Sequence, residues 1–207
     1  MRFRLVLDDI RYKQKVRLPE IFTSPQPCFR HHLWNGTQKN IMENNFLANL
    51  YARELQAEYT ATRKCLEKIP ADIYSFKPHP KSMELGYLAL LVAEIPLWIT
   101  HIVKEGVIDF ATYKRYQLST AEALLQHYED SFKGAVEALQ QTTDDQLEDD
   151  FKLQTSGQLL SSSSKKESIG SSINHWVHHR GQLTVYMRLN DIPVPSIYGP
   201  SADEKTF

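Results

Sequence analysis

The strongest constraint on the fold lies near the C-terminal end, in SSINHWVHHRGQLTVYMRLNDIPVPSIYGPSADE, Ser171 to Glu204. Up to Asn190 the spacing is that of an amphipathic helix. Ile169, Ile173, Trp176, Leu183 and Met187 recur at helical steps and make an apolar strip. Ser172, His175, His179, Gln182 and Tyr186 make a polar strip beside it. Burying the apolar strip therefore carries the polar one toward the interior, or toward a cleft next to it. His175 and His179 are four residues apart, so their rings lie one turn above each other. Two imidazoles at that spacing can grip one metal ion. The same spacing also serves a surface pair or a hydrogen-bonded core pair, and spacing alone leaves both readings open. Pro193, Pro195 and Pro200 forbid continuation of the helix, and Tyr198-Gly199 should turn the tail back onto the body, covering apolar surface or closing one side of the cleft.

The wording NHWVHHRGQLTVYMRL, followed by IPVPSIYGPSADE, resembles the C-terminal signature of the DinB-like family. The resemblance reaches back to about Asn44 through KPHPKSMELGYLALLVAEIPLW, where it rests mainly on pattern. It implies an all-α fold: a four-helix bundle with a crossover connection, commonly a homodimer. It also implies a divalent metal, zinc or nickel, held by one histidine of the second helix and two of the last. The pair maps onto His175 and His179. The third position, anchored on Trp98, falls on Leu91, which cannot bind a metal. His101 is no substitute, because ten residues further along a helix is about 15 Å. Glu94, one turn from Leu91, and His178, three residues from His175, are the candidate replacements. Without one of them, a site of two histidines and waters would be weak, and the expectation includes loss of the metal.

Composition bounds the alternatives. The chain has 207 residues and a formal net charge of -1, enough for one domain with a core plus an extension. No basic stripe marks a nucleic-acid partner. Cys28 and Cys65 form neither a zinc pattern nor a disulfide framework, which fits a cytoplasmic protein. The apolar run from Tyr87 to Ile99, broken by Glu94 and Pro96, is too short for a membrane span. Residues 1–43 read as an irregular extension with a Pro-rich loop and the adjacent His31 and His32; residues 44–207 read as the bundle. Met42 stands where such a domain would begin. The expectation is that it is the natural start and the preceding residues an upstream translation artefact, the alternative being an arm that packs on the bundle or a partner.

Within the bundle, Leu47, Tyr51, Leu55, Tyr59 and Leu66 mark a first helix. KPHPKS is a turn with an exposed His79, and Ser82 is the expected cap of an apolar second helix that Pro96 should kink. Asp109 to Leu118 is a connector carrying three aromatic residues. Ser119 or Thr120 should cap a third helix faced by Leu125, Tyr128, Phe132, Ala135 and Leu139, with His127 off that stripe and exposed. The acidic run Asp144 to Asp150 reads as a solvated loop, and the serine-rich stretch Gly157 to Lys166 as a flexible crossover.

Two functions fit. In one, the resemblance implies a metal-dependent thiol transferase or hydrolase, in which the ion lowers the pKa of a low-molecular-weight thiol. His175 and His179 would hold the ion, Gln182 and Arg180 would buttress the ligands or orient substrate, and Tyr186 would bond the substrate. In the other, the histidines are a degenerate site in a non-catalytic ligand-binding or dimeric structural bundle. Arg180 would then pair with a carboxylate, and Tyr186 would simply pack.

Overall fold

The structure is a computed structural model that describes residues 44–205. The extension 1–43, its expected start at Met42, and Cys28, His31 and His32 lie outside the described residues. In chain order the elements are α1 (Phe46–Leu66), a short 3-10 turn (Ala71–Ile73), α2 (Leu85–Lys104), β1 (Val107–Asp109), α3 (Ala121–Gln140), α4 (Asp144–Leu147), β2 (Asp150–Thr155), β3 (Gln158–Ser164) and α5 (Lys165–Leu189). The fold is mostly helical. Helix α2 is its centre, packed on α3 and α5, while α1 packs on α3 and α5 from the other side. Leu85, Leu88, Val92, Ile95 and Ile99 of α2 are fully buried, as are Leu55, Tyr128, Ile169 and Leu183 on its neighbours. By length and composition alone α2 could cross a membrane, but over half of its most apolar window is covered by the rest of the protein.

Helix α2 runs on through Pro96 instead of ending there. A proline has no N–H to give the carbonyl four residues back, here that of Val92. Trp176 of α5 supplies the missing donor: its Nε1 bonds the Val92 oxygen at 2.9 Å in a buried setting. The expected cap at Ser82 is displaced. The helix begins after Glu84, and the Ser82 amide closes a turn onto the His79 carbonyl. At Gly86 the Tyr74 side chain packs so closely that a Cβ would sit 2.7 Å from the Tyr74 Cβ. The expected cap at Thr120 is present, accepting from the Ala123 amide.

The expected all-α class is corrected by a three-stranded sheet of order β1-β2-β3, with β1 and β2 parallel and β2 and β3 antiparallel. The stretch read as a flexible serine crossover is largely β3. Ser156 (φ 49°) and Gly157 (φ 77°) both take positive φ between the paired Thr155 and Gln158, the requirement of a tight type I′ hairpin. The Asp109 carboxylate fastens this hairpin to β1, accepting from the Ser156 and Gly157 amides and the Gln154 side chain. The acidic run is solvated at Asp145, Glu148, Asp149 and Asp150, as expected, but it is not all loop, since Asp144–Leu147 is a short helix. Asp144 accepts from the Leu47 and Ala48 amides at 3.0 Å each and so caps α1 from a distance, where a negative charge meets the positive end of the helix. Thr143 and Gln146 make a capping box on α4, and Ser164 and Glu167 make another on α5.

Candidate functional site

Helix α5 presents two flanks. On one, His175 and His179 come together as their spacing requires: their Nε2 atoms are 2.6 Å apart. Gln182 Oε1 lies 2.8 Å from His179 Nδ1. With Gln182 accepting, His179 carries its proton on Nδ1, so its Nε2 accepts and His175 Nε2 donates. Burial first, then the neighbouring His179 and His178, pushes the His175 pKa below the usual histidine value. The Trp98 ring lies 5.6 Å from that of His175, centroid to centroid.

His175 opens onto a cavity of about 950 Å³ between α2, α5, the sheet and the loop after β1. Tyr87, Leu90, Leu91, Glu94, Trp98 and Ile102 of α2 form one wall, and Phe151 and Leu153 of β2 form part of another. Ser161 and Ser163 of β3 and Ser168, Ser171 and Ser172 of α5 add hydroxyls, several of them already bonded to one another or to backbone carbonyls. The connector contributes Phe110, Tyr113 and Tyr116, with the exposed Arg115 and Gln117. Its three aromatic residues were the visible signal, and their role was not read from it. Tyr113 Oη donates to Glu94 Oε1 at 2.8 Å and accepts from Trp98 Nε1 at 3.2 Å. Burial, then the bond to Glu94, pushes the Tyr113 pKa upward.

His127 was expected to be exposed. It is half-buried, stacked on Tyr116 with centroids 3.9 Å apart, and its Nε2 is buried without a partner. Its apolar face toward Tyr116 is what removes it from water, and burial pushes its pKa down.

The other flank of α5 takes Arg180 away from the histidines. Its side chain is almost wholly buried and paired with Glu58 of α1. It also donates to Thr62 Oγ1 at 3.0 Å and to Tyr198 Oη at 2.8 Å. Tyr198 in turn donates to Glu58, and Lys64–Glu204 and Arg188–Asp203 pairs hold the rest of the tail down. The tail therefore seals this flank, and none of its described residues lines the cavity. Tyr186 donates to the Met83 carbonyl at 3.2 Å and sets its ring edge-on to Phe76, away from the cavity lining. His178 is exposed, with its ring edge-on to that of His179 at 5.1 Å between centroids. Cys65 is buried, its thiol pushed up to about 11 by burial.

The donors present do not make a three-ligand metal centre. Among the described residues no group of three His, Cys, Asp or Glu side chains is placed to hold an ion. Leu91 lines the cavity at the expected third position. Two imidazoles bound to one tetrahedral ion would hold their nitrogens about 3.3 Å apart, given metal–nitrogen bonds of about 2.05 Å. In this structure the two Nε2 atoms lie 2.6 Å apart, in direct contact with each other.

A family model described as the DinB family matches residues 42–206. The chain belongs to the DinB family. A curated relative is the uncharacterized protein YrdA of Bacillus subtilis (strain 168), 27% identical over 163 residues, with 74% of this chain and 89% of YrdA covered. Among solved structures, the chain is similar to a DinB-like protein, YjoA, from Bacillus subtilis (TM-score 0.58, 21% identity, 76% of this chain and 100% of that one). It is also similar to a DinB-like protein from Bacillus cereus ATCC 10987 (TM-score 0.57, 26% identity, 72% and 95%). The DinB fold, with its central apolar helix and last helix, is thus the frame that brings His175 and Leu91 to one cavity.

Proposed function

We propose that this DinB-family chain is a small-molecule-binding protein whose ligand occupies the cavity between α2, α5 and the sheet, with the histidine pair serving as a polar wall group and not as a metal centre. The observation that carries this reading is the cavity itself. At about 950 Å³ it is of the size that takes drug-sized ligands, and it combines mostly apolar walls with a few convergent polar groups. Leu91 favours the same reading, since it puts an isobutyl group where the metal reading needs a donor. The reading takes α1, α2, α3 and α5 as the four helices of the family's bundle, supported by the packing of α2 on α3 and α5.

The convergence of the two Nε2 atoms favours a second reading, a divalent-metal site of a thiol transferase or hydrolase, and one experiment separates the two. Tag-free protein is titrated with the neutral fluorescent probe N-phenyl-1-naphthylamine and, separately, with zinc. The probe should bind wild type and bind Leu91→Trp more weakly, because the larger indole intrudes on the cavity wall without filling it. Zinc should find no stoichiometric site in wild type but gain one in Leu91→His, at least about tenfold tighter, because the third imidazole completes the set. Stoichiometric zinc in wild type, abolished by His175→Ala with His179→Ala, would overturn the proposal in favour of the metal reading.

A further inference from the structure

Glu94 is the one carboxylate of α2 in the cavity wall, and it is 7% exposed. Burial of a carboxylate is costly unless an opposite charge or several donors compensate. Among the described residues one donor reaches it, the Tyr113 hydroxyl, which is itself fed by the Trp98 indole. That relay runs toward the carboxylate and fixes Oε1 as its accepting end. Among the described residues no lysine, arginine or histidine lies within ion-pair distance of Glu94, although ten other ion pairs are formed. The second oxygen is not among the sealed, unpartnered atoms of the interior. The cavity wall is rich in aromatic rings: Tyr113 bonds Glu94, Trp98 bonds Tyr113, and Tyr87, Phe110 and Tyr116 line the same cavity. A buried carboxylate beside aromatic rings is the combination that binds an organic ammonium: the carboxylate supplies the charge and the π-faces replace lost hydration.

We propose that the cavity takes an amphipathic organic amine, its ammonium group on Glu94 between the aromatic rings and its apolar body along Leu90, Leu91 and Phe151. This rests on the small-molecule-binding reading above and names the ligand class for the same cavity. Arg115 is the competing selector, because an exposed guanidinium in the same wall would draw an acid instead.

Calorimetry on the full chain with three probes of one shape decides between them: 2-(2-naphthyl)ethylamine, 3-(2-naphthyl)propanamide and 3-(2-naphthyl)propanoate. The expected order is amine tightest, by at least about tenfold over the amide, and carboxylate weakest. Glu94→Gln should cost the amine about thirtyfold and leave the amide within about threefold, erasing the preference. Tyr113→Phe, which frees the carboxylate from its anchor, should weaken amine binding by a smaller factor. An amide or carboxylate that binds wild type as tightly as the amine overturns the inference, and so does a preference that survives Glu94→Gln. If the neutral fluorescent probe binds while the amine shows no advantage, only the ligand class falls. If neither binds, the small-molecule reading falls and this one with it.

Discussion

On the α1 side of α5, Arg180 is 1% exposed and Glu58 answers it, with Thr62 and Tyr198 satisfying further guanidinium donors. On the α2 side, Glu94 is buried almost as deeply and, among the described residues, has a single hydroxyl donor and no cation within ion-pair distance. Both flanks place a charge away from water, but only one closes the electrostatic account internally. The closed flank is sealed by the C-terminal tail; the open one faces a cavity. Where a fold neutralises its buried charge, the charge is structural. Where it leaves the charge unanswered and keeps space beside it, the space is the place to look for a ligand.

The comparison predicts unequal responses to mutation. Glu58→Ala leaves Arg180 buried without its anion and should cost about 3–5 kcal/mol in urea unfolding. Glu94→Gln, which keeps an acceptor for Tyr113 and removes an uncompensated charge, should change stability by less than about 1 kcal/mol. Equal losses in the two variants would mean that Glu94 is as structural as Glu58. Trp176→Phe should cost about 2 kcal/mol, since it strands the buried Val92 carbonyl as well as removing ring volume.

The smallest effect concerns the sheet that walls the cavity. Backbone amides of Ala111, Gly157 and Ser156 hold the Asp109 carboxyl below the usual carboxylate range. A depressed folded-state pKa means that the stabilisation is complete above the unfolded value of about 3.9 and is lost as pH falls through the folded one. Protection of the Ser156 and Gly157 amides, measured against the intrinsic exchange rate at each pH, should therefore fall on acidification below that value. Asp109→Asn should show the faster exchange already at neutral pH; unchanged exchange in that variant would remove Asp109 as the hairpin's fastener.

Much of this was legible in the sequence because it is local. The i, i+4 step brings His175 and His179 together, Gln182 at the next step lies against His179, and Thr120 caps α3. Leu91 could be placed because Trp98 lies two turns along the same helix. What escaped depends on partners far along the chain. Arg180 lies beside the histidine stripe in sequence, and its destination is set by Glu58, more than a hundred residues away. The strands β2 and β3 were hidden because Ser161–Ser164 lacks the apolar alternation that marks a strand, and the Ser-Gly turn between them was read as part of a low-complexity stretch. His127 looked like a surface residue until Tyr116, from the preceding connector, covered its ring.

The bond from Trp176 to Val92 acts as an alignment pin between two helices that would otherwise meet through interchangeable apolar side chains. Aliphatic packing tolerates sliding by a turn; an indole seated on the single carbonyl that Pro96 leaves open does not. His175 is the residue just before the pin on one helix, and Glu94 is two residues beyond it on the other. A shift of one turn would carry them past each other by about 5.4 Å. Proline and tryptophan together therefore act as a ruler for the cavity, and exchanging either should blur ligand selectivity before it threatens the fold.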